Sequence, residues 1–199
     1  MIKAAVFAAA LIPLVKLVTH GILGQLGANP IERITHTTGW WTLAFLLLSL
    51  AITPLRRLTG WAWWVRLRRM LGLYAFFYAC LHFLTYLVLD QFFDWPAIVK
   101  DVAKRPYVTV GFAGFLLLVP LAVTSTDAMI RRLGGRRWRL LHRAVYLIAM
   151  AGVLHFAWLV KKDLTRPATF GAWLALLLGI RLVYWMRGLA RSRALARSG

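Results

Sequence analysis

Acidic side chains are scarce in this 199-residue chain. Six Asp and Glu face 25 Lys and Arg, for a formal charge of +19. None of the acids sits well inside an apolar run, which argues against a carboxylate proton relay. One cysteine, Cys80, excludes an internal disulfide framework and any multi-cysteine zinc or iron–sulfur site. Charged residues of all kinds make up only 16% while hydrophobic residues reach 61%, whereas a soluble domain is about a quarter charged and about half apolar. That apolar content rules out a disordered basic tail. A soluble nucleic-acid binder has no use for so many long apolar runs. There is no Ser-His-Asp pattern, no phosphate-cradling glycine loop, no HExxH and no internal repeat. An integral membrane protein remains.

A helix needs about 20 apolar residues to cross the hydrocarbon layer. Six stretches qualify: about 4–24, 39–55, 70–89, 107–124, 140–160 and 168–186. The expected fold is all-α, a bundle of six transmembrane helices forming one domain over 1–199. The apolar runs are unbroken, so alternating outer-membrane strands do not fit. Pro54 is expected to close the second span, while Pro106 and Pro167 stand where a helix start tolerates proline. The first span is read as retained, because no small-residue cleavage site follows it cleanly.

Charge suggests orientation. Segments 54–69 and 127–143, the tail from Arg181 and Lys3 together hold seventeen of the 25 basic residues and a single acid, Asp127. The opposite side holds Arg33, Lys100, Lys104, Arg105, Lys161, Lys162 and Arg166 among most of the acids. The positive-inside rule then puts both termini in the cytoplasm. Trp40, Trp41, Trp95 and Trp158 fall near the outer interface, and Trp61, Trp63, Trp64, Trp138 and Trp185 near the inner one, as an aromatic belt does.

The concentrated chemistry is histidine: His20, His36, His82, His142 and His155. His82 lies roughly 18 Å into the third span and His155 roughly 22 Å into the fifth. Those spans run in the same direction, so both imidazoles sit at similar depth toward the outer leaflet. Two neutral imidazoles at one level can grip a haem iron axially. With both axial positions filled, such a haem moves electrons and binds no substrate at the metal. Ala75 and Ala79 share the face of His82, and Ala144, Ala151 and Gly152 that of His155. Small residues make room for a flat macrocycle, but they also serve close helix packing. The alternative for either histidine is a hydrogen-bonded packing residue.

His142 lies thirteen residues before His155, on a different face of an ideal helix and about 20 Å deeper toward the inner side. It is either an interfacial histidine or a second or shared haem ligand, and the latter needs a bend. Arg68, Arg69, Arg139 and Arg143 are candidates for haem propionates or a flavin phosphate, or for plain surface anchoring. His36 falls in an expected outer loop after the Asn29–Pro30 turn, with Thr35 to Thr38 as caps of the second span. It is a candidate for quinol contact or partner docking. His20 and Cys80 are read as structural.

Four stretches carry a resemblance: LGANPIERITHTTGWWTLAFLLLSLAITPLRR (26–57), RRMLGLYAFFYACLHFLTY (68–86), RPYVTVGF (105–112) and TSTDAMIRRLGGRRWRLLHRAVYL (124–147). They resemble the MsrQ (YedZ) family of haem-binding membrane subunits and, more broadly, the ferric-reductase-like domains that include NADPH oxidases. The resemblance implies six helices and b-type haem, one or two, with FMN as a further cofactor. It implies His82, His142 and His155 as the family histidines. It also implies electron flow from the quinone pool or a cytoplasmic flavin reductase to a periplasmic molybdopterin partner, MsrP, that reduces methionine sulfoxide. The wider oxidases use two histidines per helix, whereas the third span here offers one. This chain is then an electron-transfer subunit with no substrate chemistry of its own. The competing expectations are a stand-alone ferric or quinone reductase, and a transporter or channel with structural histidines.

Overall fold

The computed structural model describes residues 2–160 and 163–198, with the side chains of 189 and 191–198 excepted. Lys161 and Lys162 of the expected outer loop, and the side chains of Arg191, Arg193 and Arg197 in the basic tail, lie outside the described residues. The described chain is helical, with no strand among the described residues. The elements are α1 (Ile2–Ile22), α2 (Pro30–Thr59), α3 (Val65–Leu84), α4 (Trp95–Lys104), α5 (Pro106–Val123), α6 (Asp127–Leu133), α7 (Gly135–His142), α8 (Ala144–Val160) and α9 (Thr165–Ser198). Six helical stretches are long and apolar enough to cross a membrane: Ile2–Ile22, Pro30–Thr59, Ala62–Asp90, Pro106–Val123, Gly135–Val160 and Thr165–Gly188.

Two expectations about the second span need correction. Its helix begins at Pro30, where Asn29 caps it by accepting from the Glu32 N–H at 3.2 Å. Thr35, His36 and Thr38 are therefore inside the helix, and no loop carries them. The threonines turn back on their own helix, Thr35 onto Ile31 O and Thr38 onto Ile34 O, both at 2.8 Å. Nor does Pro54 end the span. The helix continues to Thr59 and stops at Gly60, whose φ of 74° provides the left-handed cap.

Proline inside a helix leaves the carbonyl four residues earlier without its N–H partner. For Pro54 that carbonyl belongs to Leu50, and Arg181 of α9 reaches across to donate to it. Arg181 also donates to the Tyr146 hydroxyl at 2.7 Å. One guanidinium thus ties α2, α8 and α9 together. Pro13 interrupts α1 in the same way. One residue on from the carbonyl it frees, Tyr78 is inserted into the helix ladder, donating to Ala10 O at 2.8 Å and accepting from the Leu14 N–H at 3.2 Å. Tyr74 adds a bond to Phe7 O at 3.0 Å. α1 buries only Ala10 and Pro13, so these tyrosines pin it to α3.

The core is built on α2, which packs along α3, while α5 packs along α8. Ala75 and Ala149 are fully buried, and Leu50 nearly so. Beyond α3 the chain widens into a π-turn over Thr85–Asp90, a departure from α geometry found often at functional sites. α4 is a short outer helix capped by Asp94, which accepts from the Ala97 N–H at 3.0 Å. Arg105 follows it in extended backbone (φ −109°, ψ 98°), as the residue before a proline must. On the inner side α7 and α8 are interrupted at Arg143.

Candidate functional site

Between the α2–α3 pair and the α5–α8 pair lies a cavity of about 530 Å³, within the range of about 300–1,000 Å³ typical of small-molecule and cofactor sites. His82 enters from α3 and His155 from α8. Their ring centres are 6.0 Å apart and their planes cross at 84°. Each ring is fixed through Nδ1: His82 donates to Thr35 O at 3.0 Å and His155 to Tyr107 O at 2.7 Å. A carbonyl can only accept, so Nδ1 carries the proton and Nε2 keeps its lone pair. An imidazole that binds metal through one nitrogen normally gives its other N–H to such a carbonyl.

The two anchors share one construction. The acceptor is a helix carbonyl, and the residue four positions on is glycine: Thr35 with Gly39, and Tyr107 with Gly111. A Cβ at Gly39 would stand 3.0 Å from His82 Cε1, and one at Gly111 only 2.6 Å from His155 Nδ1. Each imidazole therefore seats in a notch that a side chain would fill. Two imidazoles holding one metal ion by bonds of about 2 Å have ring centres about 6 Å apart, so the observed pair fits that task. Among the described residues no cluster of three or more His, Cys, Asp or Glu could hold a metal ion.

The helix faces read from the sequence divide in two. Ala79 and Gly152 line the cavity, whereas Ala75 lies fully buried in the core outside the lining. Ala151 lies against Gly114 of α5. The deep end of the cavity is apolar, with Leu43, Leu46, Leu118 and Ile148. The outer end holds His36, Tyr86, Arg105 and Tyr107. Arg105 pairs with Asp101 at 3.3 Å, and its hydrogen bond to the Tyr107 hydroxyl raises its pKa above the ordinary value. His36 is exposed on the rim and faces Glu32 at 3.7 Å.

His142 is not brought to this pair. Its Nδ1 donates to Trp138 O at 3.1 Å, within its own helix, and its ring stacks on Trp138 at 3.9 Å. Nε2 faces the Ser125 hydroxyl at 3.5 Å. The inner arginines form no part of the cavity lining. Arg69 is paired with Asp127, whose carboxyl is held below its usual pKa by that bond. Arg139 folds back over Gly135. Arg68 and Arg143 are exposed. His20 is exposed, and Cys80 is half-buried on α3. Sequence reasoning missed Gly39, Gly111, Tyr86 and Tyr107, and assigned Arg105 only to the outer charge count. The available signal was a glycine four residues after an acceptor in each partner helix.

Residues 38–153 match the model of the ferric reductase like transmembrane component. The protein-methionine-sulfoxide reductase haem-binding subunit MsrQ of Herminiimonas arsenicoxydans is 54% identical over 198 residues, covering 98% of this chain and 91% of that protein. The protein of the same name from Rhodospirillum rubrum is 57% identical over 192 residues, covering 96% and 92%. That from Ralstonia nicotianae is 52% identical over 197 residues, covering 98% and 90%.

Proposed function

The chain belongs to the ferric-reductase-like transmembrane family and, within it, to the MsrQ haem-binding subunits, and from that premise we propose that His82 and His155 hold one b-type haem as an electron relay for a periplasmic methionine sulfoxide reductase. The observation that carries this is the ring pair, 6.0 Å apart with both Nδ1 atoms committed to carbonyls. When bound, the haem supplies one-electron exchange between ferric and ferrous iron. The chain's own residues do the rest. Thr35 and Tyr107 fix the tautomer and tilt of the rings. Gly39 and Gly111 let the rings approach the helix backbone. Leu46, Leu118 and Ile148 exclude water from the deep wall. With His82 and His155 both given to the iron, the metal would have no position left for an external ligand, which suits electron transfer.

The outer segments 25–38, 90–106 and 161–167, of which 161 and 162 lie outside the described residues, would dock a molybdopterin subunit, MsrP, as electron acceptor. Electrons are supplied by the quinone pool or by a cytoplasmic flavin reductase carrying FMN. The seventeen basic residues assigned to one side support an inner-membrane protein with both termini cytoplasmic. Among the described residues His142 faces Trp138 and Ser125 and no second histidine, which favours one haem over two.

The test is the optical spectrum of purified protein during redox titration. One low-spin haem per chain is expected in the wild type, and no low-spin haem in His82→Ala or in His155→Ala. Retention of the full spectrum in both variants would sink the pair. Reduction of soluble ferric iron without a partner protein would instead favour a stand-alone reductase.

A further inference from the structure

The cavity that carries the two histidines is polar at one end only. Tyr86 and Arg105 stand at that end, and both have unused hydrogen-bonding capacity. The Tyr86 hydroxyl is buried without a partner, a costly state for a donor. Arg105 gives Nε to Asp101 at 3.3 Å and Nη1 to the Tyr107 hydroxyl at 3.4 Å. Its Nη2 has no hydrogen bond among the described residues. Asp101 and Arg105 are also among the charged neighbours of the Tyr86 ring. Two donors therefore line the mouth with no acceptor for them among the described residues: the buried Tyr86 hydroxyl and the Nη2 of Arg105, whose side chain is 54% exposed.

Resting on the reading that a haem lies between the rings, we propose that Arg105 and Tyr86 bind the carboxylate side chains of its macrocycle. Haem b is amphiphilic, with its two carboxylates on one edge. Turned inward, that edge would meet Leu43, Leu46, Leu118 and Ile148, where a charge is left uncompensated. Turned outward, it meets a guanidinium and a phenol. Asp101 does not compete for this role. It takes only Nε and leaves the Nη2 edge of the fork untouched, while its second oxygen is buried with no partner among the described residues. The other acids of the rim, Glu32 and Asp90, are exposed to water, where their repulsion is screened. The arginines of the inner side line no part of the cavity and cannot serve this ligand.

The experiment follows transfer of haem from the purified holoprotein to excess apomyoglobin. Arg105→Gln is expected to release haem about tenfold faster, as loss of a charge-assisted bond predicts, and Tyr86→Phe about threefold faster. Both variants should keep the low-spin spectrum, and Arg105→Gln should also lower the midpoint potential by removing a cation. Arg105→Lys should recover part of the retention. Asp101→Asn separates the alternatives. If the Asp101–Arg105 pair merely braces the loop, Asp101→Asn will match Arg105→Gln, and the assignment is overturned. Release from Arg105→Gln at the wild-type rate overturns it as well, and so does equal acceleration in the inner-side control Arg139→Gln. A wild-type protein without low-spin haem would instead overturn the histidine pair itself.

Discussion

The inner and outer halves of the bundle handle polar groups in opposite ways. On the inner side three of the arginines are taken up by the chain. Arg181 closes the carbonyl freed by Pro54, Arg69 takes Asp127, and Arg57 lies over the Tyr184 ring at 4.5 Å. His142 is satisfied by its own helix and by Ser125. On the outer side His82 and His155 each spend one nitrogen on a carbonyl and hold the other open. Among the described residues nothing bonds the Tyr86 hydroxyl or the Nη2 of Arg105. The half dense in basic residues spends several of them on its own scaffold, whereas the half with few charges keeps its polar groups available for a ligand.

The sharpest way to break this comparison is to remove an outer imidazole, because either His82→Ala or His155→Ala should abolish low-spin absorption altogether. The notches come next. Gly111→Ala drives a methyl to 2.6 Å from His155 Nδ1, closer than atoms can pack. The ring must leave Tyr107 O or the helices must part, so haem content should fall to a small fraction of wild type. Gly39→Ala meets His82 Cε1 at 3.0 Å, which a slight tilt relieves, so the loss should be partial. Haem-to-protein ratios of the purified variants check the order, and an undisturbed Gly111→Ala would show that the seats are not what holds the rings.

Much of the scaffold was legible in the residues. Unbroken apolar runs and paired basic loops pointed to six spans, and helix arithmetic put His82 and His155 at one level. The rest depended on contacts between distant segments. The carbonyls that orient the imidazoles belong to α2 and α5, 47 and 48 residues away, and no period along α3 or α8 reports them. His36 was read into a loop because Asn29–Pro30 resembles a turn, yet the same pair caps and starts a helix. Pro54 was read as a terminus because the rule concerns the backbone bond it deletes, and the rule is blind to an arginine 131 residues away that replaces that bond. The arginine at the cavity mouth was overlooked because a lone Arg105 is less conspicuous than the inner clusters.

On the inner side a smaller effect is expected from Arg181→Met. It keeps the apolar stem but leaves Leu50 O and the Tyr146 hydroxyl unpartnered, a loss of about 1–3 kcal/mol for such a buried group. Thermal unfolding in detergent should shift to lower temperature while the haem spectrum of the surviving protein stays unchanged. A changed spectrum would mean that the two halves are coupled through α8.

The smallest effect on the outer pair belongs to His142→Ala. Its ring touches Trp138 and faces Ser125, and thirteen residues separate it from His155, about 20 Å along a helix. The backbone break at Arg143 further separates the movements of α7 from those of α8. Removing the ring therefore leaves Thr35, Tyr107 and both seats in place. Haem stoichiometry and the low-spin bands should be retained, with only a modest shift in midpoint potential from the altered inner side. Loss of half the haem would place a second macrocycle at His142 and restore a two-haem wire. Loss of all of it would mean that the inner half organises the outer one, and the contrast between them would fall.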